Sequence, residues 1–267
     1  MKRILVAFLI AAACCACQPR LVILHVNDTH SHFEPVKGGD RDGLGGCIER
    51  AAFVDSVRDA RGADNVLLVH AGDFSQGSSY FTELGGVLEM KVINDMGYDC
   101  VTLGNHEFDN GIEALCERLK MLEKTKVVCA NLDLSPFELG NYVTPYAIFD
   151  RGGRKIGIIG LEADLSTCVS KSVSSRIPQL DRVEVTNRWE DYLHDVEKCD
   201  LIMVLSHLGY EEDQDLATHT RWVDMIVGGH SHTFVDGFVY VNNSLGRKVG
   251  VITDGCWGLQ VGEIDVY

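Results

Sequence analysis

Short apolar runs alternate with amphipathic segments along most of the chain. Apolar and β-branched runs of strand length predict strands, and apolar residues that recur every three or four positions predict helices. The predicted strands are residues 21–27, 65–70, 98–103, 126–130, 146–150, 155–161, 200–206, 224–227, 248–253 and 259–266. The predicted helices are residues 48–60, 83–96, 112–122, 188–198 and 216–221. This alternation indicates a layered α/β fold.

The second half of the chain contains sequence patterns that are typical of antiparallel strands. A single doubly wound sheet would not contain them. Gly152 and Gly153 separate the strands predicted at 146–150 and 155–161, which is a hairpin pattern. The last two predicted strands alternate apolar and polar residues, as antiparallel strands do. We therefore predict two mixed β-sheets packed together and flanked by helices. The sequence has no internal repeat and no linker rich in Pro, Gly or Ser, so residues 18–267 are predicted to form one catalytic domain.

The first seventeen residues follow a different pattern. Lys2 and Arg3 precede the apolar run 4–13, and small residues and cysteines follow it up to Cys17. This is the layout of a secretory signal, and it is shorter than the roughly 20 residues of a membrane-spanning helix. The cysteines resemble the lipidation site of a bacterial lipoprotein, although none has the usual leucine three positions before it. We predict a signal at 1–17, a lipid anchor in preference to simple cleavage, and export to the periplasm or cell envelope.

Charge and cysteine content narrow the classes of partner. The net charge of −15 argues against tight binding of nucleic acid, whose phosphate backbone needs a positive surface. A small anionic substrate remains compatible with it, because bound divalent cations would invert the local field. The seven cysteines after residue 17 form no CxxC pair, which argues against a disulfide framework or a zinc ribbon and leaves one or two bridges open. Cys100 and Cys129 fall in apolar stretches and are predicted to be core residues.

Residues of metal-binding type follow five of the predicted strands. They are Asp28 and His30, Asp73, Asn105 with His106 and Asp109, His207, and His230 with His232. Ligands of layered α/β folds gather at the carboxyl ends of the strands. Imidazole together with carboxylate suits Zn, Fe, Mn or Ni. The seven proposed ligands, which leave out His106 and Asp109, are too many for one tetrahedral ion. They suit two ions about 3.5–4 Å apart that share a carboxylate.

The motifs D-x-H, GD, GNHE, H and GHSH, in this order between Asp28 and His232, resemble those of the calcineurin-like metallophosphoesterase superfamily. The variants NDTH, GNHEFD and GGHSH resemble its 5′-nucleotidase branch. The resemblance implies the four-layer sandwich of that superfamily, with two divalent ions (Zn, Mn or Fe) that activate a water. It implies one ion at Asp28, His30 and His232 and a second ion at Asn105, His207 and His230, with Asp73 as the bridge. It also implies that His106 stabilises the transition state or leaving group and that Asp109 orients His106.

The resemblance implies hydrolysis of phosphate monoesters, with 5′-nucleotides as the expected phosphorylated small-molecule substrates. Phosphodiesters such as 2′,3′-cyclic nucleotides or nucleotide sugars are an alternative, and thiosulfate esters are another. A non-catalytic, metal-containing envelope lipoprotein is an alternative of a different class, although the intact His106 and Asp109 argue against it. Enzymes of this branch typically carry a second domain that stacks the nucleobase, and the chain ends at Tyr267. We therefore hypothesise that a separate chain supplies a nucleoside-binding domain.

Other polar residues near these motifs have simpler interpretations. Glu107 is predicted to accept hydrogen bonds without binding a metal. His32 either lines the site as a hydrogen-bond donor outside the metal ligands or is an exposed loop residue. The glycine-rich stretch 38–46 lacks the spacing of a phosphate-binding loop and is predicted to be a flexible loop at the rim of the site. Surface or satisfied core positions are predicted for His25, His70, His194 and His219.

Overall fold

A computed structural model describes residues 21–267, so the predicted signal at 1–17 and the boundary at residue 18 lie outside the described residues. The described residues form twelve strands: β1 (Leu21–Val26), β2 (Val66–His70), β3 (Cys100–Thr102), β4 (Lys126–Val128), β5 (Val143–Thr144), β6 (Tyr146–Arg151), β7 (Arg154–Glu162), β8 (Leu201–His207), β9 (Met225–Val227), β10 (Val239–Asn242), β11 (Lys248–Ile252) and β12 (Gly262–Val266). The α-helices are α1 (Cys47–Arg61), α2 (Ser79–Leu84), α3 (Val87–Met96), α4 (Ile112–Leu119), α5 (Leu165–Cys168), α6 (Lys171–Ser174), α7 (Arg182–Asp195) and α8 (Tyr210–His219). Short 3-10 helices span Gly39–Arg41, Ala63–Asn65, Asn105–Phe108 and Glu138–Asn141.

The strands form two six-stranded sheets. The first sheet has the order β12-β1-β2-β3-β4-β5 and is parallel except for the pair β12–β1. The second has the order β10-β11-β9-β8-β7-β6, with antiparallel pairs at both edges and parallel pairs between them. The pairing of Arg151 with Arg154 confirms the predicted hairpin. Both sheets are mixed, so the predicted fold class is confirmed.

Side chains of a strand point alternately to its two faces, and this places the central strands between two apolar layers. In β1, Leu21 and Ile23 belong to the apolar cluster between the sheets. Val22 and Leu24 belong instead to the cluster that packs α1, α3 and α4 on the first sheet. A third cluster packs α7 and α8 on the outer face of the second sheet. The layers therefore run helix, sheet, sheet, helix, which explains why the central strands are apolar on both faces.

The helix predicted at 83–96 is wrong as a single element. Gly85 and Gly86 have φ angles of 61° and 89°, so the chain leaves the helical region there, and α2 ends before α3 begins. Glycine reaches this left-handed conformation without the clash that a Cβ would cause. The turn allows Met90 and Ile93 of α3 to be buried against the first sheet.

Two further helices begin earlier than predicted at 188 and 216. Helix α7 starts at Arg182 because the side chain of Asp181 accepts a hydrogen bond from Glu184 N at 2.8 Å. Helix α8 starts at Tyr210 with an acidic first turn, which the positive end of the helix dipole favours. Both first turns are mostly polar, so apolar spacing alone does not locate them. The two-residue strand β5 and the largely exposed edge strand β10 were not predicted either.

All seven cysteines of the described residues have free thiols. Cys100 and Cys129 are buried core residues, as predicted, and burial raises the pKa of the Cys100 thiol well above its usual value. Both thiols therefore stay protonated and pack as small apolar groups. Among the described residues, no helix has both the length and the apolar character that crossing a membrane requires.

Candidate metal centre

The carboxyl ends of strands from both sheets meet at one edge of the sandwich. The loops after β1, β2 and β3 of the first sheet carry Asp28 with His30, Asp73, and Asn105; the second sheet contributes His207 at the end of β8 and His230 with His232 after β9. Nitrogen and carboxylate oxygen atoms of these loops lie within 4.8 Å of one another in three groups: Asp28, His30 and His232; Asp73, His207 and His230; and His30, Asp73 and His106. Asp73 belongs to two of the groups. The structure therefore brings six of the seven predicted ligands into one cluster.

Asp28 and Asp73 lie at the middle of this cluster. One carboxylate oxygen of Asp73 is 3.1 Å from His207 Nε2 and 3.8 Å from His30 Nε2. One oxygen of Asp28 is 3.3 Å from His232 Nε2 and 3.7 Å from His30 Nε2. Because His30 is near both carboxylates, each aspartate has imidazole neighbours from both sheets. The cluster is a single site.

Five of the seven predicted ligands have a left-handed backbone. Their φ angles are 49° for Asp28, 48° for His30, 54° for Asp73, 72° for His230 and 54° for His232. A residue with a Cβ pays about 1–3 kcal/mol in such a conformation, and these conformations concentrate at functional sites. The surrounding fold therefore offsets a considerable local cost in order to turn these side chains toward one another.

Two glycines allow the loops to approach closely. A Cβ on Gly72, whose φ is 84°, would lie 2.6 Å from His207 Nδ1. A Cβ on Gly104 would collide with the carboxylate of Asp73. The glycine of each GD or GN motif therefore leaves room for a ligand that another strand supplies.

His207 provides the clearest test of whether a cation fits. Its Nδ1 lies 2.7 Å from the carbonyl oxygen of Ala71, which can only accept, so Nδ1 carries the proton. In a neutral imidazole the fully buried Nε2 then presents a lone pair toward Asp73, and it has no hydrogen-bond partner among the described residues. Two lone pairs that face each other require a positive charge between them, either a proton or a metal ion.

The remaining donors fit the same interpretation. Asn105 Oδ1 is buried without a hydrogen-bond partner among the described residues. The Nε2 atoms of His30 and His232 are 2.9 Å apart, although each neutral imidazole has only one N–H to donate. Imidazole, carboxylate and amide oxygen form a mixed N/O donor set that suits divalent transition ions. The residues present therefore fit divalent metal ions.

The pKa values reflect the concentration of negative charge. Burial opposes protonation of His207, but the carboxylates of Asp73 and Asp28 raise its pKa well above the usual value. A hydrogen bond to Asp28 raises the pKa of His232 to about 10. Burial alone would raise the pKa of Asp73, yet His207 and His30 hold it below its usual range. The aspartates thus attract positive charge strongly, as ligands of a cation do.

His106 and Asp109 form the pair that the sequence predicts. His106 Nδ1 is 2.9 Å from Asp109 Oδ2, and this hydrogen bond raises the pKa of His106. The backbone N–H of His106 donates to Asp73 Oδ1 at 2.9 Å, which fixes the pair beside the cluster. The side chain of His106 is 31% exposed, unlike the fully buried His207. It can therefore reach a molecule that approaches from solvent.

Glu107 accepts hydrogen bonds, as predicted. Its carboxylate accepts from the backbone N–H groups of Asp73 at 2.8 Å and Ser75 at 3.0 Å, and also from Gly104 N at 2.6 Å. Burial and the nearby charge of Asp73 raise its pKa to about 7. Glu107 therefore ties the loop after β2 to the loop after β3.

The other histidines divide between the surface and the core. His194 and His219 are partly exposed on α7 and α8, while His25 and His70 are buried. His32, for which two interpretations were open, stacks on Trp257 with ring centroids 5.0 Å apart. Its Nδ1 is 2.8 Å from the carbonyl oxygen of His30, so His32 supports the backbone of the site.

The sequence did not single out two buried polar residues that lie beside the site. Glu162 ends β7, pairs in register with His207, and is fully buried; burial raises its pKa well above the usual value. A carboxylate at the end of the apolar run 155–161 is the signal that could have identified it. Asn27 donates to Asp28 Oδ2 at 2.7 Å and so orients that carboxylate; its position directly before a predicted ligand was the available signal.

The fold and the cluster together define a layered α/β protein with a group of His and Asp side chains that could hold divalent metal ions. The chain belongs to the calcineurin-like phosphoesterase family, whose model matches residues 21–234. Members of this family use divalent metals, and the clustered His and Asp side chains are consistent with that use.

Known relatives resemble the chain over most of its length. A probable 5′-nucleotidase of Treponema pallidum is 36% identical over 236 residues, which cover 85% of this chain and 38% of that protein. An apyrase of Tabanus yao is 33% identical over 268 residues, covering 92% and 48%. The crystal structure of a 5′-nucleotidase precursor from Thermus thermophilus superposes with a TM-score of 0.84 at 36% identity, covering 91% and 50%. The chain therefore spans about half the length of these relatives, or less.

Proposed function

We propose that this protein is a metal-dependent phosphoesterase that hydrolyses phosphate monoesters, with 5′-nucleotides as substrates. The observation that carries the proposal is the position of the Asp73 carboxylate, one oxygen of which lies 3.1 Å from His207 Nε2 and 3.8 Å from His30 Nε2. A carboxylate between the proposed ligands of two ions is what a two-metal site requires. Family membership supports phosphoester hydrolysis, and the 5′-nucleotidase and apyrase relatives support a nucleotide substrate.

In this proposal Asp28, His30 and His232 would hold one divalent ion of Zn, Mn or Fe, and Asn105, His207 and His230 would hold a second. Asp73 would be a ligand of both. Such ions, when bound, polarise a phosphoryl oxygen and make hydroxide available near neutral pH. The protein's own contribution is to fix the donors: Glu107 and Asn27 hold the loops, and Ala71 sets the tautomer of His207.

His106 is proposed to act on the substrate and not to bind a metal. Asp109 accepts from Nδ1, so the imidazole is oriented and Nε2 is available to the substrate. The raised pKa of His106 favours the protonated ring, which can donate a hydrogen bond to a phosphoryl oxygen or to the departing oxygen. A donor aimed at charge that develops in the transition state lowers the barrier.

Two chromogenic substrates and AMP test this function. The purified protein, reconstituted with Mn²⁺ or Zn²⁺, is expected to hydrolyse p-nitrophenyl phosphate and AMP faster than bis-p-nitrophenyl phosphate, and chelation should remove the activity. Faster hydrolysis of the diester would favour the phosphodiesterase alternative. No metal-dependent turnover of any of the three would contradict the proposal and favour a non-catalytic binding protein.

Export, a lipid anchor and a partner chain remain separate predictions. The segment 1–17 supports export through its sequence pattern alone. Mass spectrometry of the protein from a bacterial expression host would detect acylated cysteine if the anchor is present, and a free cleaved N-terminus would contradict it. Gel filtration of the chain with candidate secreted proteins would test the hypothesis of a separate nucleoside-binding chain.

A further inference from the structure

A small cavity lies beside the loop that carries Asp28 and His30. Thr29 and Ser31, the residues on either side of His30, are both buried and line this cavity, whose volume is about 20 Å³. Polar side chains of α1, β2 and α3 line it as well: Arg50, His70 and Glu89. None of the seven proposed ligands is among the described residues that line it, so the cavity is separate from the candidate metal centre.

Two hydrogen bonds join this loop to the wall of the cavity. Thr29 Oγ1 lies 3.0 Å from His70 Nε2, and Ser31 Oγ donates to a carboxylate oxygen of Glu89. The backbone of Ser31 is left-handed, with a φ of 55°, like that of His30. A residue with a Cβ keeps this conformation only where the surrounding structure fixes it. The two hydrogen bonds therefore hold the backbone on both sides of His30.

The polar side chains of the cavity have unused hydrogen-bonding atoms. Arg50 Nε and Nη1, His70 Nδ1 and Glu89 Oε2 have no hydrogen-bond partner among the described residues. These three residues are at most 5% exposed. Buried polar atoms of folded proteins are almost always hydrogen-bonded, either to protein or to ordered water. Four such atoms on residues that line one cavity therefore point to a polar ligand inside it.

The charges and the size of the cavity indicate that this ligand is water. Arg50 and Glu89 carry opposite charges, which balance each other and select neither an anion nor a cation. Burial, together with the nearby charge of Arg50, lowers the pKa of His70 well below its usual value, so this ring is neutral. A buried water needs about 10–15 Å³ and two to four polar partners. The cavity offers both.

We propose that the cavity binds an ordered water between Arg50 and Glu89, and that Glu89 is a positioning residue for the ion held by Asp28, His30 and His232. The water completes the buried hydrogen bonds, and Glu89 holds the loop in the conformation that its two ligands require. Groups outside the ligands commonly act on a metal in this way, by fixing the ligands' orientation. The proposal rests on the two-ion centre of the proposed function.

The second proposed ion is independent of this network. Its ligands Asn105, His207 and His230 belong to other strands or follow them. Glu107, which is not among the residues lining the cavity, ties together the loops after β2 and β3. A defect in the cavity should therefore weaken one ion and spare the other, whereas a general loss of folding would weaken both.

Calorimetric titration of the metal-free protein with Mn²⁺ tests the positioning role. The wild type is expected to bind two ions. Glu89→Gln leaves Arg50 without its opposite charge, and Ser31→Ala removes the hydrogen bond to Glu89. Each variant is expected to bind one ion about tenfold more weakly or worse, and the other within about twofold of the wild type. Asp95→Asn, at an exposed position of α3, is the matched control and should bind both ions as the wild type does. Equal weakening of both ions in the first two variants, or no weakening, would overturn the proposal.

Crystal structures identify the weakened ion and the ligand of the cavity. Crystals of Ser31→Ala grown at a limiting Mn²⁺ concentration should keep the anomalous peak beside His207 and lose the one beside His30. The reverse result would overturn the proposal. A high-resolution map of the wild type should show one water within hydrogen-bond distance of Arg50 and Glu89 Oε2. A direct bond between these two side chains, or a cavity without density, would contradict the water site.

Turnover of p-nitrophenyl phosphate separates this proposal from the proposed function. Glu89 does not touch the substrate, so Ser31→Ala should approach the wild-type kcat at saturating Mn²⁺ but need about tenfold more Mn²⁺ for half of that rate. Wild-type protein that binds two ions and turns over, with variants that behave like it, would keep the proposed function and lose only the positioning role. Wild-type protein that binds no Mn²⁺ would lose both. Circular dichroism shows whether each variant folds, and Ser31→Ala decides the test if Glu89→Gln does not.

Discussion

The two sheets contribute different chemistry to the same cluster. The first sheet supplies both carboxylates, Asp28 and Asp73, along with an imidazole and an amide. The second sheet supplies imidazoles only, from His207, His230 and His232. The carboxylates of the cluster therefore all lie on one side of the site. A cation held by Asp28, His30 and His232, or by Asp73, His207 and His230, would contact both sheets.

The interior of the sandwich shows the opposite relation between the sheets. Between them, Leu67 and Val69 of the first sheet share an apolar cluster with Met203 and Leu205 of the second. Both sides contribute the same kind of side chain there, and burial of apolar surface is sufficient to hold them together. The sheets therefore pack without an ion in their middle, while the loops at their carboxyl ends gain from one.

Among the substitutions that test this difference between the sheets, Asp73→Asn should have the largest effect. Replacing it with Asn removes the carboxylate shared by two donor groups, and we expect both the bound metal and the turnover of p-nitrophenyl phosphate to be lost. Metal content by elemental analysis and the hydrolysis rate measure the two effects. Asp133→Asn, at an exposed loop position, is the control. Full metal content in Asp73→Asn would show that the first sheet's charge is not what holds the ions.

His106→Ala separates catalysis from metal binding. If His106 acts on the substrate, kcat should fall by about 10²–10⁴-fold, the range for loss of a proton donor or acceptor. Metal content should not change, because the proposed ligands are intact. Asp109→Asn should reduce kcat less, since the imidazole remains. Loss of metal from His106→Ala would instead place His106 among the ligands, consistent with its presence in a group with His30 and Asp73.

Removing the ions by chelation should show how much stability comes from the metal site and how much from the apolar interior. An ion present at about 100 times its Kd adds about 2.7 kcal/mol to stability, and 1 kcal/mol shifts the Tm of a domain this large by about 2–4 °C. Two such ions add about 5.4 kcal/mol, so removing both should lower Tm by about 11–22 °C without unfolding the protein at room temperature. Differential scanning calorimetry measures this shift, and Asp73→Asn should show none. An unchanged Tm in the wild type would mean that the ions do not join the sheets.

A smaller effect concerns a buried carboxylate of α8 that lies beside the second sheet's ligands. Asp213 accepts a hydrogen bond from Ser206, next to His207, and burial raises its pKa to about 7 from an ordinary value of 3.8. Between these values the folded state keeps a proton that the unfolded state releases. The free energy of unfolding should therefore fall as pH rises from about 4 to about 7, by up to about 1.4 kcal/mol per pH unit.

Asp213→Asn should flatten this dependence, and urea unfolding at pH 5 and pH 8 measures it. Asp215→Asn, at an exposed position of the same helix, is the matched control and should keep the wild-type slope. A wild-type slope in Asp213→Asn would mean that Asp213 is charged at neutral pH. In that case the second sheet would also contribute negative charge, and the contrast between the sheets would weaken.

Most of the cluster could be predicted from the sequence because each of its residues stands close to an apolar strand. Asp28 and Asp73 follow their strands by two and three residues, so strand periodicity and residue type locate them together. The break at Gly85 was equally local, but the apolar spacing of residues 83–96 continues across it and masks it. A helix end marked by glycine can therefore be missed when helical apolar spacing continues across it.

Residues that depend on distant partners could not be predicted. Glu162 is buried because β7 pairs with β8 in a register that places it beside His207. Tyr210 N likewise donates to Ser231 Oγ, a residue that is distant in sequence. Neither strand register nor loop packing is encoded in a short segment, so these features required the folded structure.

The central claim is that ligands from both sheets hold two ions around Asp73, and anomalous diffraction tests it most directly. Crystals of the protein grown with Mn²⁺ are expected to show two anomalous peaks, both within bonding distance of Asp73. One peak should contact His30 and the other His207. A single peak, or peaks bound by residues of one sheet only, would contradict the account.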